Sequence, residues 1–164
     1  MSAVLSKDSM KSWCRVIIQA GARSCTAQAL TKLTEIYCRT TYEQLLGRRS
    51  ASGQKPSDDA WYTKSTTNVF VSTLFMKLYE ATAISISHDS IAFIHAYATF
   101  KRMHPAFANV LTPERADYLR KRRVGSQLLN SPNTAHYMYT CVSCNTPFLD
   151  KPKINAKYCP ICSK

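Results

Sequence analysis

The sequence has 164 residues and a net charge of +12, from 22 basic and 10 acidic residues. That length accommodates one compact domain plus a small metal-held module and is too short for two large domains. The charge imbalance points to a polyanion such as nucleic acid, against the plainer readings of a solvated basic surface or an acidic protein partner.

Residues 1–8 lack the apolar run of a secretory signal. The most apolar stretch, 69–76, is interrupted by Ser72 and Thr73 and falls far short of the roughly 18 residues of a membrane span. A cytoplasmic protein is expected, with Cys14, Cys25 and Cys38 as reduced thiols buried like small hydrophobes. The first predicted helix covers 12–22, where Trp13, Val16, Ile17 and Ala20 form one stripe that ends at Gly21. Two short periodic stretches follow at 26–32 and 35–46, with Thr34 as the N-cap of the second and Gly47 as its stop. In length the pair resembles a helix-turn-helix, an ordinary helical hairpin being the plain alternative. Ile36, Leu45 and Leu46 are its expected packing positions, and Arg39, Thr40 and Gln44 its polar, groove-facing ones.

Residues 48–57 read as a linker that opens with Arg48 and Arg49. Over 61–83 the apolar residues cover much of a helix circumference, as in a helix buried in a core or against a partner. Asp58-Asp59 suits the first turn of a helix. Ser87-His88-Asp89 can cap the next helix, which carries Ile91, Ile94, Tyr97 and Ala98 and ends before Pro105; His95 within it is expected to be a packing residue. Thr112-Pro113-Glu114 is a strong helix start. That helix carries Arg115 and the block Arg120-Lys121-Arg122-Arg123, either a solvated face or a row that tracks phosphates. Asn130-Ser131-Pro132-Asn133 breaks the chain, and residues 136–140 read as a strand.

Behind that strand stand Cys141-Val142-Ser143-Cys144 and Cys159-Pro160-Ile161-Cys162. Two C-x-x-C turns can close around one ion, and four thiolates complete the tetrahedron of a structural zinc site with no open position for water or substrate. A redox C-x-x-C needs only one pair, at a helix start; an iron–sulfur cluster is the remaining four-thiolate alternative. The turn-rich residues 145–152 suit the loop between two zinc knuckles. The sequence therefore divides into a mainly α-helical body, 1–134, and a zinc-ribbon module, 135–164, that has little apolar core of its own and folds on one structural Zn²⁺. No nucleophile, base and acid can be assembled from the scattered His88, His95, His104 and His136, and no G-x-x-x-x-G-K-[ST], G-x-G-x-x-G or H-E-x-x-H run is present, so an enzyme is not expected.

Gly21-Ala22-Arg23, the helix pair closing on Leu45-Leu46-Gly47, Trp61-Tyr62, Asn68-Val69, Ser72, Ala92, Ile94, Ala96-Tyr97, Pro105 and the cysteine quartet occur in an order and spacing that resembles the FlhC family. These are C subunits of the bacterial flagellar master activator, with relatives on conjugative elements such as AcaC and SetC. The resemblance covers about residues 17–162. It implies a helical subunit that assembles with an FlhD-like partner, binds double-stranded promoter DNA and recruits RNA polymerase, with Cys141, Cys144, Cys159 and Cys162 as metal ligands. The flagellar members continue past the last cysteine into a basic tail, whereas this sequence ends at Lys164; its inter-pair loop is also shorter, which points to a conjugative-element member. The expected function is a DNA-binding transcriptional activator subunit. Its candidate DNA contacts are Arg39, Arg48, Arg49, Arg120, Lys121, Arg122 and Arg123, with Lys151, Lys153 and Lys157 on the zinc module. A protein-interaction scaffold built on 61–83 is the first alternative. RNA binding through Tyr137, Tyr139, Phe148 and Tyr158 is the second.

Overall fold

The computed structural model describes residues 6–57, 59–128, 137–150 and 157–163. The expected break at Asn130–Asn133, together with His136, Asp58, Lys151 and Lys153, lies outside the described residues. The fold is mainly helical. In chain order come α1 (Lys7–Gln19), α2 (Ser24–Thr31), α3 (Glu35–Leu46), α4 (Thr66–Ser85), α5 (Asp89–Met103), α6 (Pro105–Val110), α7 (Pro113–Leu128), β1 (Tyr137–Thr140) and β2 (Pro147–Asp150).

Local capping explains most of the boundaries. Helix α1 begins five residues before the stripe beginning at residue 12, because Ser6 accepts from the Ser9 N–H at 3.1 Å and Asp8 sits in the first turn. Its terminal carbonyls, Gln19 and Ala20, each accept from Lys101 Nζ of α5 at 3.1 Å. Thr34 caps α3 by accepting from the Tyr37 N–H, and Gly47 ends it in the left-handed conformation at φ +65°. Helix α4 starts at Thr66 and not at Trp61: Ser65 caps it, while Asn68 Nδ2 donates to the Trp61 carbonyl at 2.7 Å and holds residues 61–64 as a turn. Pro105 does more than end α5. It occupies the first position of α6, where its missing N–H has no partner to lose.

Helix α4 is the centre of the core. Val69, Val71, Phe75, Met76 and Tyr79 are all buried, and they meet α5 and α7 on different sides. The Phe75 ring lies 5.7 to 6.3 Å from those of Phe93, Tyr97, Phe100 and Tyr79, separations at which aromatic pairs attract. Tyr97 donates its hydroxyl to the Leu111 carbonyl at 2.8 Å, so the polar tip is satisfied inside the core. His95 is exposed, contrary to expectation, because α5 turns Ile94, Ala96 and Tyr97 inward and leaves position 95 on the outer arc.

Helices α1, α2 and α3 form a second packing unit around Cys14, Ile17, Ile18, Leu30, Cys38 and Tyr42. Cys14 and Cys38 are buried as expected, but Cys25 is exposed on α2. The inner face of α3 is Cys38, Thr41 and Tyr42, with Leu45 half-buried. Ile36 is 79% exposed and Leu46 lies at the surface, so two of the three expected packing positions face out. A three-residue connection, 32–34, fixes that phase. Helices α1 and α2 meet the α4-centred core through α5, and the segment 61–62 packs on α7: Tyr62 is fully buried, stacks on Tyr118 at 5.4 Å and donates to the Arg115 carbonyl at 2.8 Å.

Strands β1 and β2 pair antiparallel, with Met138 opposite Leu149 and Tyr139 opposite Phe148. Alternation sends these two pairs to opposite faces. Leu149 and Met138 join the helical core against α4, whereas Phe148 and Tyr139 belong to a small cluster around the cysteines. Replacing Leu149 by alanine is expected to cost about 2–5 kcal/mol of global stability, as for other buried leucines. Urea unfolding followed by helical circular dichroism measures it; a helical transition that did not move would mean that the hairpin is independent of the body.

Candidate metal centre

The hairpin delivers the first cysteine pair. Its connection, 141–146, closes with the Cys141 N–H on the Thr146 carbonyl at 3.0 Å and the Asn145 N–H on the Cys141 carbonyl at 2.9 Å. Asn145 takes the left-handed turn position at φ +55°, which asparagine tolerates. The second pair turns in the same way, with the Cys162 and Ser163 N–H groups donating to the Cys159 carbonyl at 3.0 and 2.9 Å. Two bonds align the two turns: the Val142 N–H donates to the Lys157 carbonyl at 2.9 Å, and the Cys159 N–H to Cys141 Sγ at 3.3 Å.

As a result the sulfurs of Cys141, Cys144, Cys159 and Cys162 all lie within 4.8 Å of one another. Cys144 and Cys159 are 3.7 Å apart. A tetrahedral ion bound at about 2.3 Å from each sulfur needs sulfur–sulfur edges of about 3.8 Å, so the four can hold one metal ion with small adjustments. Cys141 and Cys159 are buried and Cys144 and Cys162 half-buried, beneath Phe148 and Ile161.

The surroundings pull the four thiols apart in acidity. Burial opposes the Cys141 thiolate, but N–H groups of Cys159, Cys144 and Ser143 outweigh it and bring the thiol down to about 6. The Thr146 hydroxyl, 3.3 Å away, lowers Cys144. Burial pushes Cys159 up to about 12, and hydrogen bonding to Cys144 raises Cys162. Cys141 and Cys144 are thus shifted towards the thiolate and Cys159 and Cys162 away from it, and a cation bound among the four would favour the thiolate at each. Thr146, 3% exposed, is a second-layer partner that the cysteine spacing does not reveal. A polar residue two positions after a C-x-x-C pair is the only sequence signal for it.

The basic candidates divide into two groups. Arg120 is only 11% exposed, and holds Asp117 at 2.6 Å as well as Asp89; Lys121 reaches the other Asp117 oxygen at 2.7 Å. Arg122 meets Asp59 at 3.1 Å, and Arg123 donates to Glu80 at 2.6 Å. Arg120, Arg122 and Arg123 therefore pair α7 with carboxylates of other elements, whereas Lys121 is exposed beside Asp117 of its own helix. Asp59 is in a turn and not in a helix, and also accepts from the Tyr118 hydroxyl at 3.0 Å. Arg115 lies 4.0 Å over the Trp61 ring.

Arg39, Thr40 and Gln44 share the exposed side of α3, with Arg48 and Arg49 beyond its end. Their ion pairs are loose, 3.5 Å from Arg39 to Glu35 and 3.9 Å from Arg49 to Glu43. Lys157 is exposed beside Tyr158. Of the aromatic platform, Phe148 is buried and Tyr139 stacks on it at 5.6 Å, which leaves Tyr158 exposed.

Compared with known proteins, the chain matches no family model and no curated protein. The resemblance stated above rests on the quoted residues alone. Several of them have structural roles: the Arg23 N–H donates to Glu114 at 2.9 Å, tying the start of α2 to that of α7, and Trp61 and Tyr62 clamp α7 as described.

One metal equivalent per chain is expected, with loss of at least one equivalent's tight binding in Cys159→Ser; elemental analysis after dialysis measures both. Truncating Arg120 to alanine leaves the 3%-exposed Asp117 carboxylate paired with Lys121 alone and is expected to destabilise by about 1.5–3 kcal/mol, the worth of hydrogen bonds to a charged group. Arg39→Ala should change stability by less than about 0.5 kcal/mol in the same denaturation series.

Proposed function

We propose that this chain is a DNA-binding transcriptional activator subunit of the FlhC type, whose four cysteines hold one structural Zn²⁺. It acts in the cytoplasm with an FlhD-like partner and recruits RNA polymerase to promoters, conjugative-transfer promoters among them. One observation carries the reading. The Arg120–Arg123 block meets carboxylates of Asp59, Glu80, Asp89 and Asp117, so it is neutralised within the fold. The surplus of +12 therefore lies outside the block; α3 sets Arg39 against Glu35 and Glu43, and Arg48 and Arg49 after it bring that segment to a small positive balance. An exposed arginine on the second helix of a short-turn pair, Arg39, with Arg48 and Arg49 after it, supports phosphate and groove contacts of the kind DNA-binding helix pairs make. Zinc suits four thiolates with no open position. Lys151, Lys153 and Lys157 are candidate contacts from the metal-held module.

The contacts are tested by a salt titration of promoter binding in the presence of the partner. Log K should fall linearly with log[salt], by about 0.9 per phosphate neutralised, and replacing Arg39, Arg48 and Arg49 with alanine should reduce the slope by about two to three. A slope near zero in the parent protein would remove the phosphate-contact reading. Tyr158, 54% exposed, and Val142, 71% exposed, lie close together at the ribbon tip and favour single-stranded RNA as the second reading. Tighter binding of single-stranded RNA than of duplex DNA would decide for it.

A further inference from the structure

A cleft of about 600 Å³ opens between the first turns of α1 and the connection from α2 to α3. Its volume is in the range of small-molecule sites. Three ammonium groups from two separate segments line it: Lys7 and Lys11, one turn apart on α1, and Lys32 on the connection. Met10, Leu33 and Tyr37 supply an apolar lining that is continuous with the helical core. Asp8 pairs with Lys11 at 2.8 Å from the rim, 87% exposed; among the described residues neither Lys7 nor Lys32 comes within ion-pairing distance of a carboxylate. The cleft thus combines an excess of positive charge, three lysines against the one rim carboxylate of Asp8, with an apolar wall in one concavity.

Lys32 adds an independent observation. It closes α2 in the left-handed conformation, at φ +59°, where glycine or asparagine is the ordinary choice. The residue that would best serve the backbone is absent, and the one present adds a cation to the cleft.

We infer that this cleft binds an organic polyanion of nucleotide size, its phosphate or carboxylate groups against Lys7, Lys11 and Lys32 and its flat apolar part against Met10, Leu33 and Tyr37. The site stands apart from the cysteines and from the outer side of α3, and it does not depend on the DNA reading. A ligand there would contact both α1 and the turn that sets the phase of α3, so it would bind the helix pair to α1.

The test uses the full metal-loaded chain and a ribose-labelled fluorescent ADP as the probe, with inorganic pyrophosphate and a duplex oligonucleotide as competitors. Saturable binding is expected, with pyrophosphate weaker by about tenfold or more because it lacks a body for the apolar wall. Lys32→Gly should keep or raise the melting temperature, since glycine suits the backbone there, while weakening the probe by about tenfold. Lys7→Ala provides the same readout from the opposite wall. Absence of saturation, equal affinity for pyrophosphate, or unchanged binding in both variants would overturn the proposal. Displacement of the probe by duplex DNA would also overturn it, by making the lysines part of a DNA surface.

Discussion

A twenty-residue helix with no polar stripe must be enclosed by other elements, and α4 sets this requirement for the whole molecule. Phe75, Met76 and Tyr79 need neighbours on more than one side, and α5, α6, α7 and the β2 strand supply them. The hairpin is drawn into this enclosure: Leu149 fills a place in the helical core that no helix covers. The cysteine cluster is therefore built on a strand whose opposite face is already committed to α4.

The arginine block shows how net charge can mislead about location. Four adjacent cations look like the most basic surface of the chain, yet three of them, Arg120, Arg122 and Arg123, hold α7 against α5, the turn at Asp59 and α4 through Asp89, Asp59 and Glu80. Buried ion pairs of this kind give little net stabilisation against an apolar alternative, but breaking one is costly, so they act to fix where α7 lies. Cations without an ion pair to any described residue stand on less conspicuous positions, among them Lys7 and Arg15 of α1, Lys32 and Arg48.

Much of the fold was legible from local chemistry. Thr34 and Gly47 bounded α3 to the residue, Thr112-Pro113 began α7, and the paired cysteine spacing brought four sulfurs together. What could not be read depended on tertiary phase. Ile36 and Leu46 match a helical stripe but face out, because the 32–34 connection rotates α3 so that Cys38 and Tyr42 meet α1. His95 stands within an apolar run and yet lies on the open arc of α5. Arg120, Arg123 and Arg122 reach Asp89, Glu80 and Asp59 across 31, 43 and 63 residues, and no local pattern specifies those partners; the Asp117 pairs with Arg120 and Lys121 are local to the helix. Thr146 is in the same class: its role requires knowing that the first C-x-x-C is the turn of a hairpin.

Phe148 and Leu149 are adjacent on one strand and serve opposite faces, one towards the cysteines and one towards α4. During synthesis the helices emerge before the hairpin, and the hairpin before Cys159 and Cys162. The body can thus receive Leu149 while only half of the ligand set exists, and the last pair of thiols closes on a surface already in place. A metal site formed by all four sulfurs would be complete only after Cys162 is made, when the helices and Leu149 are already available to pack.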